Sequence, residues 1–86
     1  MGDEEREPSL EELAAQLRDL PVDQFVAAAA STIASLGFAK LDAGDLAQAR
    51  KAIDVLAALL PHLEGDVRRD LQAALSNLQV AYAGSD

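Results

Sequence analysis

The chain has one histidine, His62, and no cysteine, so any chemistry must be built on a single imidazole, carboxylates, hydroxyls and amines. His62 follows Pro61 in an apolar stretch, and no serine, carboxylate pair or lysine stands at a spacing that marks it as a partner for general acid–base or nucleophilic work. A turn or packing role is the expectation for it. Glu64 and Asp66 are the nearest acids, but acids alternating through a turn do not make a full metal ligand set. Asp42-Ala43-Gly44-Asp45 lacks the oxygen-ligand run and closing glutamate of a calcium loop. The five glycines stand alone, so no phosphate-cradling loop is present. The expectation is a protein that is not an enzyme, with no catalytic residue, cofactor or metal site. A small-molecule sensor with an apolar cavity inside its fold stays open as a further class.

Charge narrows the partners. Fifteen acids against seven bases give a formal net charge of −8, which repels phosphate backbones and anionic lipid unless a basic patch is localised somewhere. The densest basic pairs, Arg50-Lys51 and Arg68-Arg69, have Asp54 or Asp66 and Asp70 at helical spacing, a pattern of intrahelical pairing. We therefore expect no direct nucleic-acid partner. Six of the acids, with only Arg6 against them, fall in residues 3–12. This reads as a solubilising, flexible acidic tail over residues 1–8, or as a contact for a basic partner through Glu4, Glu5, Glu11 and Glu12.

Positioning elements follow from composition and punctuation. At 86 residues the chain has room for one core. Eighteen alanines and fourteen leucines, with few β-branched or aromatic residues, specify helices. Ser9-Leu10-Glu11-Glu12 is a capping box that opens a first helix with Leu10, Leu13, Leu17 and Leu20 as its stripe. Pro21 ends that helix and begins the second near Pro21 or Val22. Helix two is expected to turn Phe25, Val26, Ala29, Ile33 and Leu36 to the core and to end near Gly37, the other reading being a longer helix that stops at Ala43-Gly44. Asp42 or Asp45 then caps helix three, whose stripe is Leu46, Ala49, Ile53, Leu56, Leu60 and Leu63, broken by Pro61. After a turn at Gly65-Asp66, helix four carries Leu71, Leu75, Leu78 and Tyr82. The last residues, 84–86, should fray.

The stripes predict an all-α fold, a compact antiparallel bundle of three to four short helices spanning residues 9–83 as one domain. The remaining alanines of helix two make a small apolar surface, from which self-association is expected, with Ala27, Ala30 and Ala34 as the interface of a homodimer. The longest uncharged stretch, Phe25 to Ala39, reads as too short and too weakly apolar to cross a bilayer. With an acidic amino terminus in place of a secretory leader and no disulfide framework, a cytoplasmic setting without membrane contact is expected.

Two resemblances add to this reading. From Ile33, the residues Leu36-Gly37, Gly44-Asp45, Ala49, Ile53, Leu56 and Pro61 resemble a single tetratricopeptide-type helical hairpin. Across Leu20 to Tyr82, the chain resembles the small bacterial family catalogued as domain of unknown function 1844. The residues that carry this are Leu20-Pro21, Phe25, Leu36-Gly37, Ala49-Arg50, Ile53-Asp54, Leu56, Gly65, Leu71, Leu75 and Asn77-Leu78-Gln79-Val80-Ala81-Tyr82. That resemblance implies a small helical cytoplasmic protein in a translation-linked setting, and it carries over no catalytic or ligand residue. The function expected is a helical protein-interaction module that binds itself or another protein. The alternative is an acidic regulatory or chaperone-like protein that binds a basic partner.

Overall fold

The computed structural model describes residues 9–85, and there the chain is all-α. Its helices are α1, Leu10–Arg18; α2, Val22–Asp42; α3, Leu46–Leu59; and α4, Gly65–Ala83, with one 3-10 turn, Leu60–His62, between α3 and α4. The expected acidic tail over residues 1–8 lies outside the described residues.

Local chemistry sets most of the boundaries. The Ser9 hydroxyl accepts the Glu12 N–H at 3.1 Å and the Glu12 carboxylate accepts the Ser9 N–H at 3.1 Å, so the capping box is closed in both directions. Pro21, extended at φ −70 and ψ 134, starts α2. The Asp45 carboxylate accepts the Gln48 N–H at 3.2 Å and caps α3. Pro61 falls in the 3-10 turn, where the regular helix has already ended at Leu59. The two tight reversals use glycine in the left-handed region, Gly44 at φ 80 and Gly65 at φ 64. At the far end, Gly84 and Ser85, in the stretch expected to fray, donate N–H bonds to the Val80 and Tyr82 carbonyls.

Helix two differs from the expected end near Gly37. It continues to Asp42, and Gly37 is buried inside it. A Cβ built on Gly37 would lie 3.1 Å from Leu78 Cδ2 and 3.3 Å from Ala52 Cβ. Glycine here admits two neighbouring helices to the α2 backbone, and that close approach offsets the ~1 kcal/mol that glycine costs in a helix interior.

The contacts fix the topology. Gly37 meets Ala52 of α3 and Leu78 of α4, and Asp23 and Ala27 share a cleft with Glu64 and Val67. Arg50 and Asp54 share another with Gln79 and Tyr82. Helix α3 thus runs antiparallel to both α2 and α4, which lie parallel to each other, an up-down-up bundle of three. Its core is Ala30 and Ala34 from α2, Ile53 and Leu56 from α3, Leu60 and Leu63 around the 3-10 turn, and Leu71, Leu75 and Leu78 from α4. Alanine and glycine on one helix face leucine on the other two, so large and small side chains interdigitate.

The first helix does not join this core. It makes no contact with the other helices, and none of its residues is buried. The packed domain is therefore 22–83 rather than the expected 9–83. With α1 standing apart, the molecule is less compact than expected, its radius of gyration being 17.0 Å where a globular chain of this size has about 12 Å.

Candidate interaction surface

The surface is best built from the two helices whose apolar residues the core leaves unused. Along α1 and the following turn, Leu10, Leu13, Leu17 and Leu20 recur on one side, and all four are exposed, Leu10 to 83% and Leu17 to 55%. On α2 the spacing of Val22, Phe25, Ala29, Ile33 and Leu36 is three, four, four and three residues, one face of a helix. The core expected from the sequence takes four of these, Phe25, Ala29, Ile33 and Leu36, together with Val26. Instead Val22 is 71% and Phe25 52% exposed, Ala29 and Leu36 are exposed, and only Ile33 is half-buried. The core takes the other side of α2, Ala30, Ala34 and Gly37, flanked by Val26, Ala27 and Leu41.

This placement corrects the expected homodimer contact. Ala30 and Ala34 are 0% and 6% exposed within the single chain, and Ala27 packs against the same core. Residues already buried against α3 and α4 cannot meet a second copy. The reason lies in the helix spacing: leucines from two neighbours need small partners on the helix they both touch, so the alanines go inside and the larger residues of α2 face out.

Among the acidic candidates, Glu4 and Glu5 lie outside the described residues. Glu11 and Glu12 are exposed at the first turn of α1, where acids also favour the positive end of the helix dipole. The Glu12 carboxylate is engaged in the capping box, so Glu11 is the freer of the two for a partner.

Among the described residues, shallow depressions on the bundle include three of note. One, of about 140 Å³, lies among Asp23, Ala27, His62, Leu63, Glu64 and Val67. A second, of about 250 Å³, is bordered by Arg50, Ile53, Asp54, Gln79 and Tyr82. There Arg50 Nε donates to Asp54 Oδ1 at 3.3 Å, and its guanidinium carbon lies 6.0 Å from the centre of the Tyr82 ring. Tyr82 first and Asp54 second push the Arg50 pKa upward. The third, of about 150 Å³, runs between α2 and α3 and is lined by Ile33, Leu36, Ala52 and Val55, with Lys40, Gln48 and Lys51 as its polar border. Small-molecule sites usually enclose about 300–1,000 Å³, so all three are small for such a ligand.

His62 is exposed in the 3-10 turn, and among the described residues no three His, Asp or Glu side chains are gathered as a metal site. Comparison with family models, curated proteins and solved structures gives no match. The two resemblances thus rest on the residues quoted for them.

One sequence expectation about membranes also changes. Because α2 extends to Asp42, it has 21 residues and a mean hydropathy of 1.3 in its most apolar window, enough by length and composition to cross a bilayer. The same helix supplies Ala30, Ala34 and Gly37 to the core, and crossing would require it to leave α3 and α4. Both apolar sides of α2 are visible in the sequence, one of alanine and glycine and the other of larger residues, with charge only at Asp23, Lys40 and Asp42; the structure reverses which of them is buried.

Proposed function

We propose that this chain is a non-enzymatic helical protein-interaction module that associates with itself through the apolar residues of α1 and the outer side of α2. The observation that carries this reading is the detached α1, an amphipathic helix with a closed capping box and three exposed leucines, continued by Leu20 in the following turn, that the chain's own core does not use. Nine residues are too few for a helix to be stable alone in water. A partner that covers the leucine stripe supplies the missing stabilisation, and exposed apolar surface of this continuity is characteristic of interaction sites. The acidic net charge favours a protein partner over nucleic acid or anionic lipid, and a cytoplasmic setting accords with the cysteine-free composition.

Sedimentation equilibrium with circular dichroism tests the proposal. Wild type should associate as concentration rises, and the double substitution Leu13→Glu with Leu17→Glu should sediment as a monomer, its α2–α4 melting like that of wild type in dilute solution where wild type too is monomeric. A wild-type chain that stays monomeric at its highest soluble concentration would sink self-association.

The alternative, an acidic regulatory or chaperone-like protein in a translation-linked setting, is supported by the crowding of six acids into residues 3–12. It predicts a complex with a basic polypeptide that Glu11→Gln weakens and that added salt dissolves.

A further inference from the structure

We infer that the groove between α2 and α3 receives helix α1 of a second copy, so that two chains exchange their first helices about a two-fold axis. This deepens the proposed self-association by assigning both sides of the contact.

Four observations converge on that groove. Its floor is apolar, Ile33, Leu36, Ala52 and Val55, which suits the stripe Leu10, Leu13, Leu17 and Leu20. Its border is basic: Lys40 and Lys51 line it without an acid, whereas the other two depressions contain Asp23 and Glu64, or Asp54. In a chain of net charge −8 this border differs in sign from the molecule as a whole, and it is complementary to the acidic first turn of α1.

Reach decides between the chain's own α1 and another's. Only Asp19, Leu20 and Pro21 join α1 to α2. Folded back along α2, the middle of the α1 stripe lies ~9 Å from Pro21, while Leu36 lies ~22 Å along the helix from that residue, at 1.5 Å per residue. The middle of the chain's own stripe therefore falls about 13 Å short of Leu36, and only its far end, Leu10 at ~17 Å, comes level with the near edge of the groove at Ile33, ~18 Å along α2, so the four leucines cannot occupy it together. A second copy has no such tether.

Area agrees with exchange. The exposed parts of the four leucines with Ile33, Leu36 and Val55 amount to roughly 600 Å² of apolar surface per chain, and a reciprocal pair covers about 1,200 Å², the lower bound for a specific interface. A single one-sided contact covers about half of that, enough for weak association only. Exchange also satisfies two-fold symmetry, since each copy gives a helix and offers a groove.

Complementation between two variants is the test. In one, Leu13→Glu and Leu17→Glu spoil the helix; in the other, Leu36→Glu and Val55→Glu spoil the groove. All four positions are exposed in the single chain, so both variants should fold, and circular dichroism verifies that. Wild type should sediment as a dimer and each variant alone as a monomer. At the highest soluble concentration, where each variant alone stays monomeric, their equimolar mixture should associate, far more weakly than wild type, because one intact helix–groove contact of about 600 Å², the size of a weak and transient interface, remains. Pairing of helix with helix, or groove with groove, leaves a spoiled surface in every mixed pair and gives no recovery. A wild-type dimer with no recovery in the mixture overturns the groove assignment and leaves the interaction reading standing. A dimer that survives either variant alone overturns it too. A wild-type monomer overturns both, and if that monomer binds zwitterionic phosphatidylcholine vesicles through Leu13 and Leu17, the face belongs to lipid.

Discussion

Gly37 is the residue on which the helix spacing turns. Its missing side chain lets α2 lie against Ala52 and Leu78 at once. An alanine there would gain about 1 kcal/mol of helix propensity but press on Ala52 Cβ, which has no rotamer to escape into. Gly37→Ala should thus change stability by less than about 1 kcal/mol, whereas Gly37→Leu should cost about 1–3 kcal/mol or more through overpacking. Urea unfolding followed by circular dichroism measures both. The same experiment grades the leucines: Leu56 and Leu78 are wholly buried, and truncation of either to alanine should cost about 2–5 kcal/mol. Leu75→Asp, which puts an unpaired charge at a buried position, should unfold the chain, while Asp70→Ala, at an exposed one, should shift the midpoint little. Equal tolerance of the two would remove α4 from the core. The exposed pairs Arg50–Asp54 and Arg69–Asp66 are both solvent-screened, and breaking either should be close to neutral.

Elements were legible where a residue acts on its own backbone. The Ser9 box, the Pro21 start, the Asp45 cap and the Pro61 break all depend on local hydrogen bonds or a fixed φ, and each is written in two to four consecutive residues. So too were the core stripes of α3 and α4, where polar or charged side chains such as Gln48, Arg50 and Asp54, or Gln72, Asn77 and Gln79, fall between the large apolar residues and only one side can be buried. Helix α2 was not legible in this way, because both its sides are apolar. Larger side chains usually win the core, but here two leucine-bearing neighbours reward small ones, a fact of tertiary spacing that no window of α2 contains. The end of α2 failed for the same reason: Gly37 resembles a C-cap until Leu78 is seen beside it. The stripe of α1 was recognised, yet its period could not say whether this chain or another covers it. Since α1 contacts no other helix, a chain starting at Pro21 should keep the unfolding midpoint of α2–α4 within about 0.5 kcal/mol, the usual range for surface changes. That comparison needs dilute samples, because any dimer stabilises the full-length chain by mass action. A much larger loss would show α1 packed on its own bundle in solution.

At the scale of the whole molecule, net charge and apolar surface act in opposite directions on association. Two copies at −8 each repel, and at about 0.01 M salt, where the screening length is ~30 Å, that repulsion extends across the whole interface. Near 1 M salt the length falls to ~3 Å, and the long-range repulsion is gone. In the proposed exchange the attraction of Glu11 for Lys40 and Lys51 is screened as well, but exposed ion pairs contribute only about 0–1 kcal/mol each. The leucine stripe is indifferent to simple screening. Self-association should therefore tighten as salt rises, read as a falling dissociation constant in sedimentation at each ionic strength. A complex with a basic polypeptide has the opposite sign, since the attraction of the acidic segment is what salt removes. Polylysine serves as the probe, its binding followed over the same salt series. Self-association that dissolves with salt would mean that the charged border, and not the leucines, holds the copies together, and the Leu13→Glu, Leu17→Glu chain would then still dimerise at low salt.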